Sequence, residues 1–267
     1  AIMRDGRYRM AVRTEAGKVM NAHAFVANVM MQQAGSIPEL ERAKAELDAA
    51  ASIAHEPVFQ GAYGIERALT LTIARYSRLS FMMAGNGAVR YAREALGSMA
   101  GLMAAPGSAE ALRPDAARLL SSFIKLVFIS TDEHADRRYP DVAEDVLKEA
   151  LVLFESPAYA GSVDQEAAWV ISACLRLAYI FADDHNEYFD MQKAEWFMDK
   201  ALAVHRSYPG DGSVIKQAPF TMNRIMRLYA GRDRLARAAE KYESLSMDGG
   251  DAALPLAILS LFYYRLN

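Results

Sequence analysis

The residues best placed by type and spacing to do chemistry are a cation followed by leucine. The pair recurs at Arg78-Leu79, Lys125-Leu126, Arg176-Leu177 and Arg227-Leu228, and the last three cations are 51 residues apart at each step. Four residues before the cation stand Ser121, Ser172 and Asn223, with Ala74 in the first instance. A spacing of i, i+4 puts both side chains on one helical face, so an otherwise apolar helix carries a polar stripe ending in a positive charge. Ammonium and guanidinium groups donate to carboxylates, the guanidinium through two parallel hydrogen bonds. The expected chemistry is therefore recognition: an aligned ladder receiving the carboxylates of a peptide or of a small anionic ligand. The competing expectation is that each cation pairs with an acid on a neighbouring helix, such as Glu144 or Glu195, or faces water.

Two further sets carry ligand-type atoms. Asp132-Glu133-His134 and Asp183-Asp184-His185 are equivalent loop segments, each with carboxylates beside one imidazole. A zinc site needs three or four converging ligands, and one histidine per loop with no calcium-loop spacing gives no metal expectation. Met82, Met83, Met198, Met222, Met226, Trp169, Trp196 and Tyr229 form an adaptable apolar set, read as core from its helical spacing. Phosphate-cradling glycine loops, a nucleophile elbow and a metalloprotease helix are all absent from the sequence, and His55-Glu56 has no second histidine at the required spacing. We expect no enzyme and no cofactor.

Composition narrows the partner. The chain has 267 residues and a net charge of −3, with basic residues clustered only locally, at Arg4, Arg7, Arg9 and Arg13 and again from Arg224 to Lys241. A general nucleic-acid binder carries a strongly basic face, so nucleic acid is not an expected partner. Cys174 is the only cysteine, so no internal disulfide forms. It stands where the other copy has Phe123 and reads as a small buried hydrophobe. No apolar run approaches the ~18 residues of a membrane span.

The elements that must position these residues are helices. AARLLSSFIKLVFISTDEH from Ala116 and AAWVISACLRLAYIFADDH from Ala167 align without a gap at an offset of 51, which continues into AEDVLKEAL and AEWFMDKAL. A period in this range marks stacked helical repeats. Residues 1–13 lack helical periodicity and read as an irregular arm; 14–267 read as a single repeat domain. Helices are expected from Glu15 to Gln33, and from a capping box at Ser36–Glu39 to His55. A third runs from Ile65 to a connector at Gly85-Asn86-Gly87, and its partner follows from Ala88. The repeated pair then occupies about 115–155 and 165–206, with a second capping box at Ser162–Gln165. Helices near 219–230 and 233–245 and a C-terminal capping helix complete the chain. The second helix of each pair repeats a small–x₃–residue–x₂–Ala face: Ala43/Leu47/Ala50, Ala88/Ala92/Ala95, Ala143/Leu147/Ala150, Ala194/Met198/Ala201 and Ala238/Tyr242/Leu245. Small residues there let two helix backbones approach closely.

KAEWFMDKAL at Lys193–Leu202 and VAEDVLKEAL at Val142–Leu151 resemble the second helix of tetratricopeptide repeats, and LYAGRDRLARA at Leu228–Ala238 resembles the family's turn. Trp169 falls where that family often carries tryptophan. The spacing between successive second helices here is 44–55 residues against the family's 34, so the unit is tetratricopeptide-like. The fold expected is all-α, a solenoid of about five antiparallel helical hairpins. The resemblance implies a protein or peptide partner on a concave face, and the residues expected to meet it are Arg78, Lys125, Arg176, Arg227, Ser172, Asn223 and Trp169. The alternative is an anionic or amphipathic small molecule in a cavity lined by Trp169, Trp196 and the methionines.

Overall fold

The computed structural model describes residues 9–228, apart from 60, 61, 63, 105–111 and 136. The chain divides into two compact units, one running to Asp164 and one beginning at Gln165. The first holds α1 (Arg9–Gln33), α2 (Ile37–His55), α3 (Ile65–Gly85), α4 (Val89–Ala104), α5 (Ala116–Ser130) and α6 (Pro140–Phe154). The second holds α7 (Ala167–Ala182), α8 (Met191–Ser207), the single turn α9 (Gly212–Ile215) and α10 (Ala218–Leu228). The chain is all-helical: no strand occurs among the described residues. None of the described helices is long and apolar enough to cross a membrane.

Neighbours in sequence pack as pairs: α1 with α2, α3 with α4, α5 with α6, and α7 with α8. In the first unit α3 also packs on α1 and α5, and α4 on α2 and α6, giving a layer of first helices and a layer of second helices. Side-chain contacts fix the directions. Gly17 meets Gly64 and Asn28 meets Arg78, so α1 and α3 run the same way. Ser77 meets Ser122 and Phe81 meets Lys125, which makes α3 and α5 parallel, and Arg90 to Asp141 with Arg93 to Glu149 does the same for α4 and α6.

The repeated small–x₃–residue–x₂–Ala face forms the seam between layers. Ala43, Leu47, Ala50, Ala92, Ala95, Ala143, Leu147, Ala150, Ala194, Met198 and Ala201 are all at 0% exposure. Alanine at the contact costs no side-chain entropy and allows short interaxial distances. Ala88 departs from the pattern, because it precedes the helix and is only half-buried. Ala238/Tyr242/Leu245, the expected helix near 233–245 and the C-terminal capping helix lie outside the described residues.

Three local expectations are corrected. Helix α1 already includes Arg9–Arg13, which the sequence assigns to an irregular arm, and the rest of that stretch lies outside the described residues. At the head of α2 the box is only half made: Glu39 Oε2 accepts from the Gly35 amide at 2.7 Å and from the Ser36 hydroxyl at 3.0 Å. Ser36 donates its hydroxyl proton to Glu39, and its oxygen accepts from no amide of the helix's first turn. The box at Ser162–Gln165 does not form, because a 3₁₀ turn at Asp164–Glu166 intervenes and α7 starts at Ala167. Ser162 instead accepts from Arg113 Nε at 3.2 Å.

Candidate functional site

Arg78 and Lys125 lie in the first-helix layer of the first unit, on α3 and α5, and both are exposed. Arg78 Nη1 donates to Asn28 Oδ1 of α1 at 3.1 Å. Lys125 Nζ stands 5.3 Å from the centroid of the Phe81 ring. Phe81 is three residues beyond Arg78, on the same face of α3, so a half-buried aromatic ring sits between the two cations. Leu71, two turns before Arg78, is exposed, and on α1 Phe25 and Val26 reach solvent at 67% and 40%. Ser121 is half-buried one turn before Lys125. The adjacent Ser122 goes inward, where its hydroxyl meets that of Ser77 at 2.6 Å.

The electrostatics of the two layers differ. Among second helices, Arg90 pairs with Asp141 at 2.8 Å, Arg93 with Asp145 at 3.4 Å and Glu149 at 3.2 Å, Lys44 with Asp48, and Lys148 with Glu144. None of these pairs involves a cation of the recurring basic–Leu set: Glu144 serves Lys148, one turn away on α6, rather than Lys125. Neither Arg78 nor Lys125 has a carboxylate partner among the described residues; a neutral amide and a ring face meet them instead. A cation over an aromatic face at an exposed site gains about 0.5–1 kcal/mol and keeps its charge available to a second partner.

In the second unit the ladder expected from equal sequence spacing is not in register. Ser172 donates to the Gln217 side chain at 3.1 Å or to the Ala168 carbonyl at 3.0 Å, and the Arg224 guanidinium lies 4.0 Å over the Tyr179 ring. Both contacts join residues 45 apart and show α7 and α10 running the same way. Arg176, half-buried on α7, is therefore abreast of Thr221, and Arg227 falls six residues farther along, about 9 Å at the helical rise. The turn α9 and its flanking loop set this height, and they break the 51-residue spacing as a measure of position. Among the described side chains, Arg224 is the cation that α10 brings against α7. Arg227 occurs in α10, but its side chain lies outside the described residues, as do those of Met222 and Met226 and all of Tyr229. Asn223 is exposed on α10.

Trp169 and Trp196 also depart from expectation. They were read with the core, yet they are 58% and 40% exposed, while Met83 and Met198 are fully buried. Trp196 packs edge-on against Phe197 and carries Lys200 Nζ 5.6 Å above its ring.

The duplicated loops share a turn. His134 N donates to Asp132 Oδ1 at 3.0 Å, and His185 N to Asp183 Oδ1 at 3.1 Å. Tyr139 N closes onto the Ser130 carbonyl, and Asp190 N onto the Phe181 carbonyl at the equivalent place. The aspartates thus cap the turn, as short acids do where a chain leaves a helix. Among the described residues, Asp183, Asp184 and His185 bring ligand-type atoms within 4.8 Å of one another, with Asp183 half-buried and the other two exposed. Three groups on the surface, one already committed to its own backbone, make a loop of turn residues.

The sequence singles out Arg78 and Lys125 but not the residues that meet the candidate side chains, Asn28, Phe81 and Gln217, nor the contact of Arg224 with Tyr179. Phe81 was legible as the i+3 neighbour of Arg78. Asn28 and Gln217 sit outside the duplicated segments, where periodicity gives no signal. No family model, no curated protein and no solved structure matches this chain.

Proposed function

We propose that the chain is a non-catalytic interaction module, a tetratricopeptide-like solenoid of helical hairpins that binds a protein or peptide along its first-helix layer. The parallel run of alternate helices and the fully buried alanine seam in the first unit support the architectural half of this reading. The functional half rests on one observation: the second-helix cations Arg90 and Arg93 are closed into inter-helix ion pairs, whereas Arg78 and Lys125 flank an aromatic ring without an acid. Paired charges hold adjacent repeats together. Charges without an acid, set among the exposed apolar side chains Phe25, Val26 and Leu71, complement an acidic partner with apolar residues. The second unit carries its own candidates in Trp169, Arg176, Ser172 and Asn223, and Arg227 is a candidate whose side chain lies outside the described residues. The alternative, an anionic or amphipathic small molecule held in a closed cavity, draws no support from tryptophans as exposed as these.

The test is retention of partners from an extract of the source cells by full-length protein, comparing wild type with the double variant Arg78→Glu/Lys125→Glu. Arg42→Glu, at an exposed position on α2, is the control. Proteins held by wild type and the control but lost by the double variant support the reading. An unchanged set, with all three proteins equally helical by circular dichroism, sinks it.

A further inference from the structure

The last described helix of the second unit is fastened by a buried imidazole. His205, in the final turn of α8, is 6% exposed, and its Nε2 lies 2.8 Å from Thr221 Oγ1 of α10, itself fully buried. The Thr221 hydroxyl has one proton and directs it to the Gln217 carbonyl four residues back at 3.1 Å. It can then only accept from the ring, so Nε2 carries the hydrogen and Nδ1 is bare. The His205 ring makes no hydrogen bond or ion pair among the described residues other than that with Thr221.

Among the described side chains, the charged groups on the elements around the ring are mostly cations: Arg176 on α7, Lys193, Lys200 and Arg206 on α8, Lys216 after α9 and Arg224 on α10. Of the acids on these elements, Glu195 is half-buried, Asp199 is exposed, and Asp211 accepts from the Ser213 and Val214 amides as the cap of α9. None is paired with the imidazole. A proton added at Nδ1 would therefore put a positive charge in a buried site where no acid among the described residues pairs with it, and burial alone pushes the ring's pKa from 6.5 down to about 4. The Nε2–H bond to Thr221 survives protonation; what becomes unfavourable is keeping the charged ring covered.

We propose that His205 is an acid-sensitive latch: protonation of the covered ring releases α10 from α8, uncovering Thr221, Ile225 and the face of α7 that carries Ser172 and Tyr179. A group that gains protons more readily when uncovered shifts the equilibrium toward the open form as pH falls. The sign is fixed by the lowered value: docking is unaffected above about pH 7, weakens as pH drops through 6.5, and stops weakening below about 4.

Hydrogen exchange of the α10 amides in the full chain, corrected for intrinsic exchange rates, tests this at pH 7.5 and pH 5. In wild type the opening of α10 should rise about 30-fold between these conditions, while amides in the middle of α7 and α8 change far less. His205→Gln keeps an N–H donor for Thr221 but cannot titrate, so α10 should stay protected with no pH response. Should that variant fail to dock α10, Thr221→Val provides the second arm. It loses the acceptor, lowers protection at both pH values, and keeps the pH response because the ring still titrates. Equal wild-type opening at the two pH values, or an undiminished response in a docked His205→Gln protein, overturns the latch.

Discussion

A Cβ placed on Gly17 would stand 2.7 Å from the carbonyl carbon of Gly64 and 2.9 Å from its oxygen. Helix α1 and the residue that starts α3 thus touch backbone to backbone, and Gly64 itself adopts φ 80°, a conformation glycine reaches without strain. Gly17 consequently gives up the usual helical preference for a side chain. Gly17→Ala should destabilise the protein by about 1–3 kcal/mol, because the obstructing atoms are main chain and cannot swing aside. Gly97, on the exposed side of α4, has nothing within 4 Å of its would-be Cβ. Gly97→Ala should instead stabilise by about 0.5–1 kcal/mol, the ordinary helix preference. Urea unfolding of the two variants beside wild type checks both signs.

Much of the helical frame was legible because it rests on period. The duplicated segments and the alanine faces depend on the spacing of buried side chains along one helix, and that spacing is written locally. The height of one helix against the next is not. Arg176 and Arg227 match in sequence, but α10 is placed by the length of the α8–α9–α10 turns and by Ser172 meeting Gln217, a contact between unlike side chains. The exposure of Trp169, against a core reading of its spacing, has a related cause. Its helical spacing fits an apolar face, but which arc of α7 is covered depends on the neighbours that pack there.

Ser77 and Ser122 test the first-helix seam. Ser122 donates to the Arg118 carbonyl at 2.8 Å, so Ser77 supplies the proton in the 2.6 Å bond between the hydroxyls. Ser122→Ala leaves the buried Ser77 proton without its acceptor and should cost about 1–2 kcal/mol. Ser77→Ala should cost less, since Ser122 keeps its bond to Arg118. The double variant should be less destabilised than the sum, with a coupling of about 0.5–1.5 kcal/mol in a denaturation cycle. Strict additivity would mean the hydroxyls do not meet.

Arg93 and Glu149 test the second-helix seam. Burial pushes the Glu149 carboxyl above the usual range, the Arg93 guanidinium pulls it back, and Asp145 pushes it up again. The sign follows from the net rise: folded Glu149 binds its proton more tightly than the unfolded residue. Its contribution is complete below the ordinary 4.5 and is lost as pH climbs through the raised value. Glu149→Gln should flatten that part of the stability–pH curve and be well tolerated at neutral pH. Arg93→Ala should be the more damaging change, because it leaves Glu149 to face Asp145 alone. Thermal melts from pH 4 to 7 distinguish the two.

Asp190 tests the entry to α8. Its Oδ1 accepts from Gln192 N at 3.0 Å and Lys193 N at 3.1 Å, satisfying two of the amides that a helix leaves open at its start. Its own amide donates to the Phe181 carbonyl at 2.8 Å, which ties the start of α8 to the end of α7. Asp190→Ala removes the side-chain cap but keeps that main-chain tie, so the pair should remain docked while its stability falls by about 0.5–2 kcal/mol. Asp190→Asn, which retains an acceptor oxygen, should recover most of the loss. The charge then accounts for only the remainder, the attraction of a carboxylate to a helix N-terminus, worth about 0.3–1 kcal/mol and diminished by salt. Unfolding curves for the three proteins at low and high salt separate the hydrogen bond from the charge: the gap between wild type and Asn should close with salt, and the gap between Asn and Ala should not.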